Sequence, residues 1–148
     1  MSKGDLEARV DKFVFRVRQG YGYTREGLWV RREDERCRIG IGDYLQQKNG
    51  DVAIVELPEV GLQLEAGDVL LTIETMKTSF DVLSPVSGQV VAVNSELDEY
   101  PEHINEDPYG AGWLADIECS APPVLLDASA YFETMSKQAT EEAATLGR

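Results

Sequence analysis

Histidine and cysteine are nearly absent: His103 is the only imidazole, and Cys37 and Cys119 are the only thiols, in a chain of 148 residues. Two cysteines are too few for a disulfide framework. With a single histidine the chain also lacks the clustered ligands of a zinc site, although carboxylate sites for hard cations stay open. Basic residues are scarce too, 14 Lys plus Arg against 27 Asp plus Glu for a net charge of -13, which argues against nucleic acid as a partner. No apolar run approaches the roughly 18 residues needed to span a bilayer, and the opening Met-Ser-Lys-Gly-Asp-Leu-Glu lacks the apolar core of a secretory signal. The expectation is a cytoplasmic protein with no membrane insertion. Catalytic motifs are missing as well: there is no Gly-x-Gly-x-x-Gly or Walker loop, no Gly-x-Ser-x-Gly elbow, and no histidine near a serine or cysteine nucleophile. His103, in a proline-flanked loop, reads as a surface residue rather than a general base. The carboxylates from Glu96 to Asp107 read as a solvated face. The length is that of about one domain, so no second catalytic domain of usual size fits beside it.

What is present is dominated by short strands. FVFRVR (13–18), GLWV (27–30) and CRIGI (37–41) alternate well enough to predict strands, with Cys37, Ile39 and Ile41 on one face. GDYLQQKNG predicts a short helix that starts near Asp43 and ends at the Asn49-Gly50 pair. From Gly50 onward VAIVEL, VLLTIE, SFDVL and QVVAVN follow one another through tight turns, which predicts an all-β core. PEVGLQLEAGDVLLTIE and SPVSGQVVAVNSELDEY echo each other, and two such units packed face to face would form a small sandwich. ELDEYPEHINEDPYGAG is polar and turn-forming. GWLADIEC predicts a strand with Trp113, Ala115, Ile117 and Cys119 on one face. The two cysteines therefore read as core thiols, or as a redox pair if their strands meet. After Pro122 and Pro123, a C-terminal helix capped by Asp127 or Ser129 is expected, with a frayed Leu-Gly-Arg end.

Charge is divided unevenly: residues 1–50 carry 11 basic against 8 acidic side chains (+3), and residues 51–148 carry 3 against 19 (-16). Between Lys48 and Lys137 the only lysine or arginine is Lys77, in Glu74-Thr75-Met76-Lys77-Thr78. Its position between VLLTIE and SFDVL predicts the tip of a hairpin with an accessible ammonium. The plain alternative is a solvated turn lysine. Against it stand the isolation of this cation in an acidic half and the strongly apolar strands on either side.

DVAIVELPEVG, GDVLLTIETMKTSFDVLSPVSGQVVAVNSEL and PEHINEDPYGAGWL together resemble the H protein of the glycine cleavage system. The resemblance runs from about residue 27 to 134, with residues 1–26 as an N-terminal extension and 135–148 as the end of the C-terminal helix and tail. It implies a mainly β barrel-sandwich hybrid, or hammerhead, of the lipoyl-domain type, with short helices including a C-terminal one. It also implies a noncatalytic carrier: lipoic acid is amide-linked to Lys77, Glu74 helps present that lysine, and a lipoate ligase is a partner.

Two departures bear on which group is carried. The family usually has His-Glu-Trp-Val where this chain has Gly27-Leu28-Trp29-Val30, and Glu-Ser-Val-Lys-Ala where it has Glu74 to Thr78. Met76 also resembles the biotinyl motif, but Thr78 replaces the second methionine, and biotinyl domains lack the NEDPYGAGWL segment. H-protein-like carriers also serve heterodisulfide-reductase-like sulfur-oxidising complexes, and the departures point to that pathway as the preferred expectation. Carriage of an aminomethyl group among the glycine cleavage enzymes is the alternative, and an unmodified structural or regulatory relative is the third reading.

Overall fold

The computed structural model describes residues 4–119 and 124–145. The chain opens with a hairpin of β1 (Leu6–Val10) and β2 (Phe13–Val17). Next come β3 (Gly22–Tyr23), β4 (Leu28–Glu33), β5 (Arg36–Ile41) and helix α1 (Asp43–Asn49). Five strands follow: β6 (Val52–Glu56), β7 (Gln63–Leu64), β8 (Val69–Thr75), β9 (Ser79–Leu83) and β10 (Gly88–Val93). The polar stretch after β10 folds into a 3-10 turn, Ser95–Asp98, and the short helix α2 (His103–Glu106). β11 (Ala115–Glu118) and the long helix α3 (Ala128–Thr145) complete the fold. Pro122, Pro123 and the Leu146-Gly147-Arg148 end lie outside the described residues.

The strands pair antiparallel into a two-stranded sheet β1-β2, a six-stranded sheet ordered β3-β4-β5-β11-β10-β7, and a three-stranded sheet β6-β8-β9. This corrects the mainly β barrel-sandwich hybrid that the resemblance implies. All three sheets are open, and the fold is a mixed α/β, lipoyl-domain-like one with a C-terminal helix. The physical reason lies at the edges. β3 and β7 have two residues each, too few to supply a closing ladder, and the free side of β3 is taken by a bridge from Tyr23 to Leu126 in the lead into α3. Period-two alternation marks a strand and its buried face, but not whether a sheet's last strand finds a partner.

The two larger sheets share one apolar core. Cys37, Ile39 and Ile41 from β5 and Ala115 and Ile117 from β11 meet Val55, Leu71, Ile73 and Val82 from the three-stranded sheet, all buried. Each large side chain there contributes about 2 kcal/mol of transfer free energy. A second, aromatic core lies under α3 and the N-terminal hairpin. Tyr23 stacks on Tyr131 with centroids 4.7 Å apart, Phe15 meets Tyr44 edge-on, and buried Trp29 donates its indole N–H to the Pro108 carbonyl at 2.8 Å. The hairpin is tied down where the Arg16 amide donates to Asp43 Oδ2 (2.8 Å) and Gln47 Nε2 donates to the Val14 carbonyl (2.9 Å). Asp127 caps α3, its Oδ1 accepting from the Ala130 amide at 2.8 Å.

Candidate functional site

Lys77 sits at the tip of the β8–β9 hairpin, exposed, where the sequence places it. The roots of that hairpin are fixed by Leu71, Ile73 and Val82 in the core. Its tip is fixed by polar contacts. The Thr75 amide donates to the Thr78 carbonyl at 2.7 Å, and Thr75 Oγ1 accepts from the amides of Lys77 (3.1 Å) and Thr78 (2.9 Å). A hydroxyl that binds its own turn in this way is why threonine suits that position. The Met76 amide donates to the Asp51 carbonyl at 2.9 Å and so anchors the tip to the start of β6. Met76 itself is 80% exposed. Glu74 is half-buried on β8, opposite Ser79 in the last pair of the ladder.

The Lys77 ammonium donates to the Lys48 carbonyl at 3.0 Å, near the C-terminal end of α1 where carbonyls lack helical partners. The turn that follows needs Gly50, whose φ of 89° an L side chain rarely adopts. Asn105 holds the turn from the other side. Its Nδ2 donates to Gln46 Oε1 (2.9 Å) and to the Gly50 carbonyl (3.1 Å), and its Oδ1 accepts from the Val52 amide (2.8 Å). Asn105 is a positioning residue that sequence reasoning misses, because it reads there as one polar residue in a turn-rich run. Asn105→Ala is expected to lower stability by about 2 kcal/mol, since one side chain serves three partners, and urea unfolding measures this. An unchanged midpoint would mean that the turn is held without it.

Beside Lys77 lies a cleft of about 210 Å³ whose lining includes Phe13 and Phe15 of the N-terminal hairpin, Tyr44 and Lys48 of α1, and Glu142 of α3. Lys48 Nζ contacts Glu142 Oε2 at 2.8 Å, and the Tyr44 hydroxyl donates to Glu142 Oε1. Burial opposes ionisation of Glu142, but Lys48 and Tyr44 outweigh it and hold the carboxyl below its usual range. Burial and the Glu142 carboxylate raise the Tyr44 hydroxyl, and burial raises Tyr23 and Tyr131, so all three stay neutral. His103 lies over Tyr100 and 3.4 Å from Glu96 Oε1 at the surface. Among the described residues no group of three or more His, Cys, Asp or Glu side chains is placed to hold a metal ion, and no helix is long and apolar enough to cross a membrane.

The strands do bring the cysteines together. Cys37 and Cys119 are buried free thiols with their sulfurs 3.2 Å apart, and burial together with the Cys119 contact pushes Cys37 up to about 12.

The family model described as "Glycine cleavage H-protein" matches residues 21–140. A glycine cleavage system H protein of Rubrobacter xylanophilus is 44% identical over 122 residues, covering 82% of this chain and 97% of the relative. One from Mycobacterium avium is 47% identical over 123 residues, covering 78% of this chain and 93% of the relative. The crystal structure of a glycine cleavage system H protein from Mycobacterium marinum superposes with a TM-score of 0.71 at 37% identity, covering 76% of this chain and 94% of that one. The hairpin β1–β2 precedes the family match, yet it walls the cleft beside Lys77. From residue 21 to residue 140 the chain belongs to the glycine cleavage H-protein family, whose members are carriers and not enzymes.

Proposed function

We propose that this protein is a lipoyl carrier of the glycine cleavage system, with lipoate amide-linked to Lys77 and Glu74 helping to present it. The observation that carries this reading is Lys77 itself: the isolated cation of an acidic half, exposed at the tip of a hairpin whose roots lie in the core. The site fits the group. Acylation removes the ammonium charge but leaves one Nζ–H, which is enough to keep donating to the Lys48 carbonyl. When bound, the lipoyl group supplies a dithiolane that opens to a dithiol, takes up a group through thiol chemistry and recloses with electron transfer. The chain's part is to hold the attachment point still through Thr75 and Met76, and to offer an acidic surface that steers toward basic entrances on the P-, T- and L-proteins.

The sulfur-oxidising complex preferred from the sequence finds no support among the relatives and structure described above, and the glycine cleavage reading replaces it. Two of the positions that suggested sulfur chemistry, Gly27 and Leu28, have local structural accounts. Gly27 has a φ of 106°, and a Cβ there would sit 3.2 Å from both Leu45 Cβ and the Tyr131 hydroxyl. Leu28 is a core residue, 4% exposed.

Unmodified protein given a lipoate ligase, lipoate and ATP should gain one lipoyl mass on Lys77. The lipoylated product, combined with the P-, T- and L-proteins, should then sustain glycine cleavage. Sulfur-dependent exchange with a sulfur-oxidising complex in the absence of glycine cleavage would reverse the pathway. A chain that no ligase modifies would favour the structural or regulatory reading.

A further inference from the structure

Cys37 and Cys119 stand 82 positions apart in sequence, yet they occupy one buried face where β5 meets the end of β11. The ladder pairs Cys37 with Ile117 and Arg36 with Glu118, so Cys119 falls one step beyond the last pair, on the same face as Ile117. Its amide donates to the Glu35 carbonyl at 2.7 Å, which fixes the backbone on which the second sulfur is carried. The two sulfurs lie 3.2 Å apart with no atom between them, and both thiols are free. A bond asks them to close to about 2 Å.

We propose that Cys37 and Cys119 form an oxidation site that closes to a single intramolecular disulfide, stapling β5 to β11, with hydrogen peroxide as the oxidant. One thiolate attacks a peroxide oxygen, breaking the O–O bond to give a sulfenic acid and, with a proton, one water. The second sulfur then attacks the sulfenic sulfur, the S–O bond breaks, and the departing oxygen leaves as a second water. Both cysteine protons end in water, the cysteines lose two electrons, and the peroxide gains them. The chain has no third thiol to exchange with, so no other disulfide can form within it. Burial at 0% and 3% exposure keeps large disulfide reagents and a second copy of the chain away, whereas peroxide is nearly as small as water. Oxidation therefore waits on local opening where β11 ends, and it is slow. The staple lies away from the tip of the Lys77 hairpin and does not depend on any modification there.

The test uses protein without lipoate, whose two cysteines are then its only thiols, so the result is independent of the function assigned to Lys77. The folded protein is treated with excess peroxide at mildly alkaline pH, quenched with catalase, unfolded, alkylated and weighed intact without reductant. The expected product is a monomer whose joined Cys37 and Cys119 peptides are lighter by two hydrogens, with no alkylation site, reverting to two sites on reduction; oxygen taken up by the methionines, of which Met76 is 80% exposed, is counted apart. It should melt on the order of 10 °C higher, because a long loop is closed in the unfolded chain. Two alkylatable thiols surviving a treatment that oxidises the urea-unfolded chain would overturn the assignment, as would oxygen found by peptide mapping on Cys37 or Cys119, or a product that has linked two chains. Cys37→Ala and Cys119→Ala proteins should each fail to lose two hydrogens; that loss persisting in either would overturn it equally.

Discussion

Lys77→Arg is expected to abolish lipoylation completely while leaving the fold in place. The charge survives the change, but a guanidinium stays protonated and offers no free amine lone pair to an activated lipoyl group, so no amide forms. The fold should not register the change. Lys77 is exposed, the bonds that define the tip run through its backbone and Thr75, and its one side-chain bond is an exposed contact to the Lys48 carbonyl. A stability change within about 0.5 kcal/mol is expected for a substitution at such a place. Intact mass after incubation with ligase, lipoate and ATP provides the measurement, with urea unfolding run in parallel. Lys48 gives the experiment a second use. It is the lysine nearest in sequence and its carbonyl touches Lys77, but its own ammonium is held by Glu142 at 2.8 Å, on a helix rather than a hairpin tip. An adduct that moved to Lys48 would mean that the ligase reads a neighbourhood; a full lipoyl mass retained with Lys48 and every other lysine bare would remove Lys77 as the attachment point.

Much of this was legible in advance, and the part that was not has a common cause. Residues that act through their neighbours in sequence could be read directly. The alternation of Cys37, Ile39 and Ile41 named a buried face, Asn49-Gly50 ended a helix where φ turns positive, Asp127 capped another, and Lys77 stood out because no other lysine or arginine lies near it in the chain. Features that depend on partners distant in sequence could not. The sheets are open because β3 and β7 stop after two residues, and no local pattern announces where pairing stops. Asn105 acts on Gln46, Gly50 and Val52, more than 50 positions away. The meeting of Cys37 with Cys119 required knowing that β5 and β11 are neighbours, and the sequence offered the pair only as one of two readings. The wall that the N-terminal hairpin builds beside Lys77 lay in a segment set aside as an extension. The preference for sulfur oxidation drew in part on Gly27 and Leu28. Those positions answer to backbone conformation and core packing, which a motif comparison reads as if they were chemistry.

The largest expected effect on stability belongs to Gly88, at the start of β10. Its nearest neighbour is backbone: a Cβ built there would lie 2.1 Å from the Glu118 carbonyl oxygen and 3.0 Å from that carbonyl carbon, with the side-chain Ile117 Cγ2 also at 3.0 Å. A flexible side chain could swing aside, but the Glu118 carbonyl belongs to β11, which is paired on its other side to β5 through Cys37 and Ile117. Gly88→Ala must therefore push β10 from β11 at the Gln89–Glu118 and Val90–Ile117 pairs, and loosen the Gly88–Leu64 pair on which the two-residue strand β7 depends. Overpacking against fixed backbone costs about 3 kcal/mol, visible as a large drop in the urea midpoint with little change in slope. Gly4→Ala is the control, since nothing lies within 4 Å of a Cβ at that position and no change beyond about 0.5 kcal/mol is expected. Lipoylation of the protein that remains folded should be unaffected, because the Lys77 hairpin belongs to the three-stranded sheet and not to the one being forced apart. Equal midpoints for the two alanine variants would show that β10 and β11 can separate at little cost.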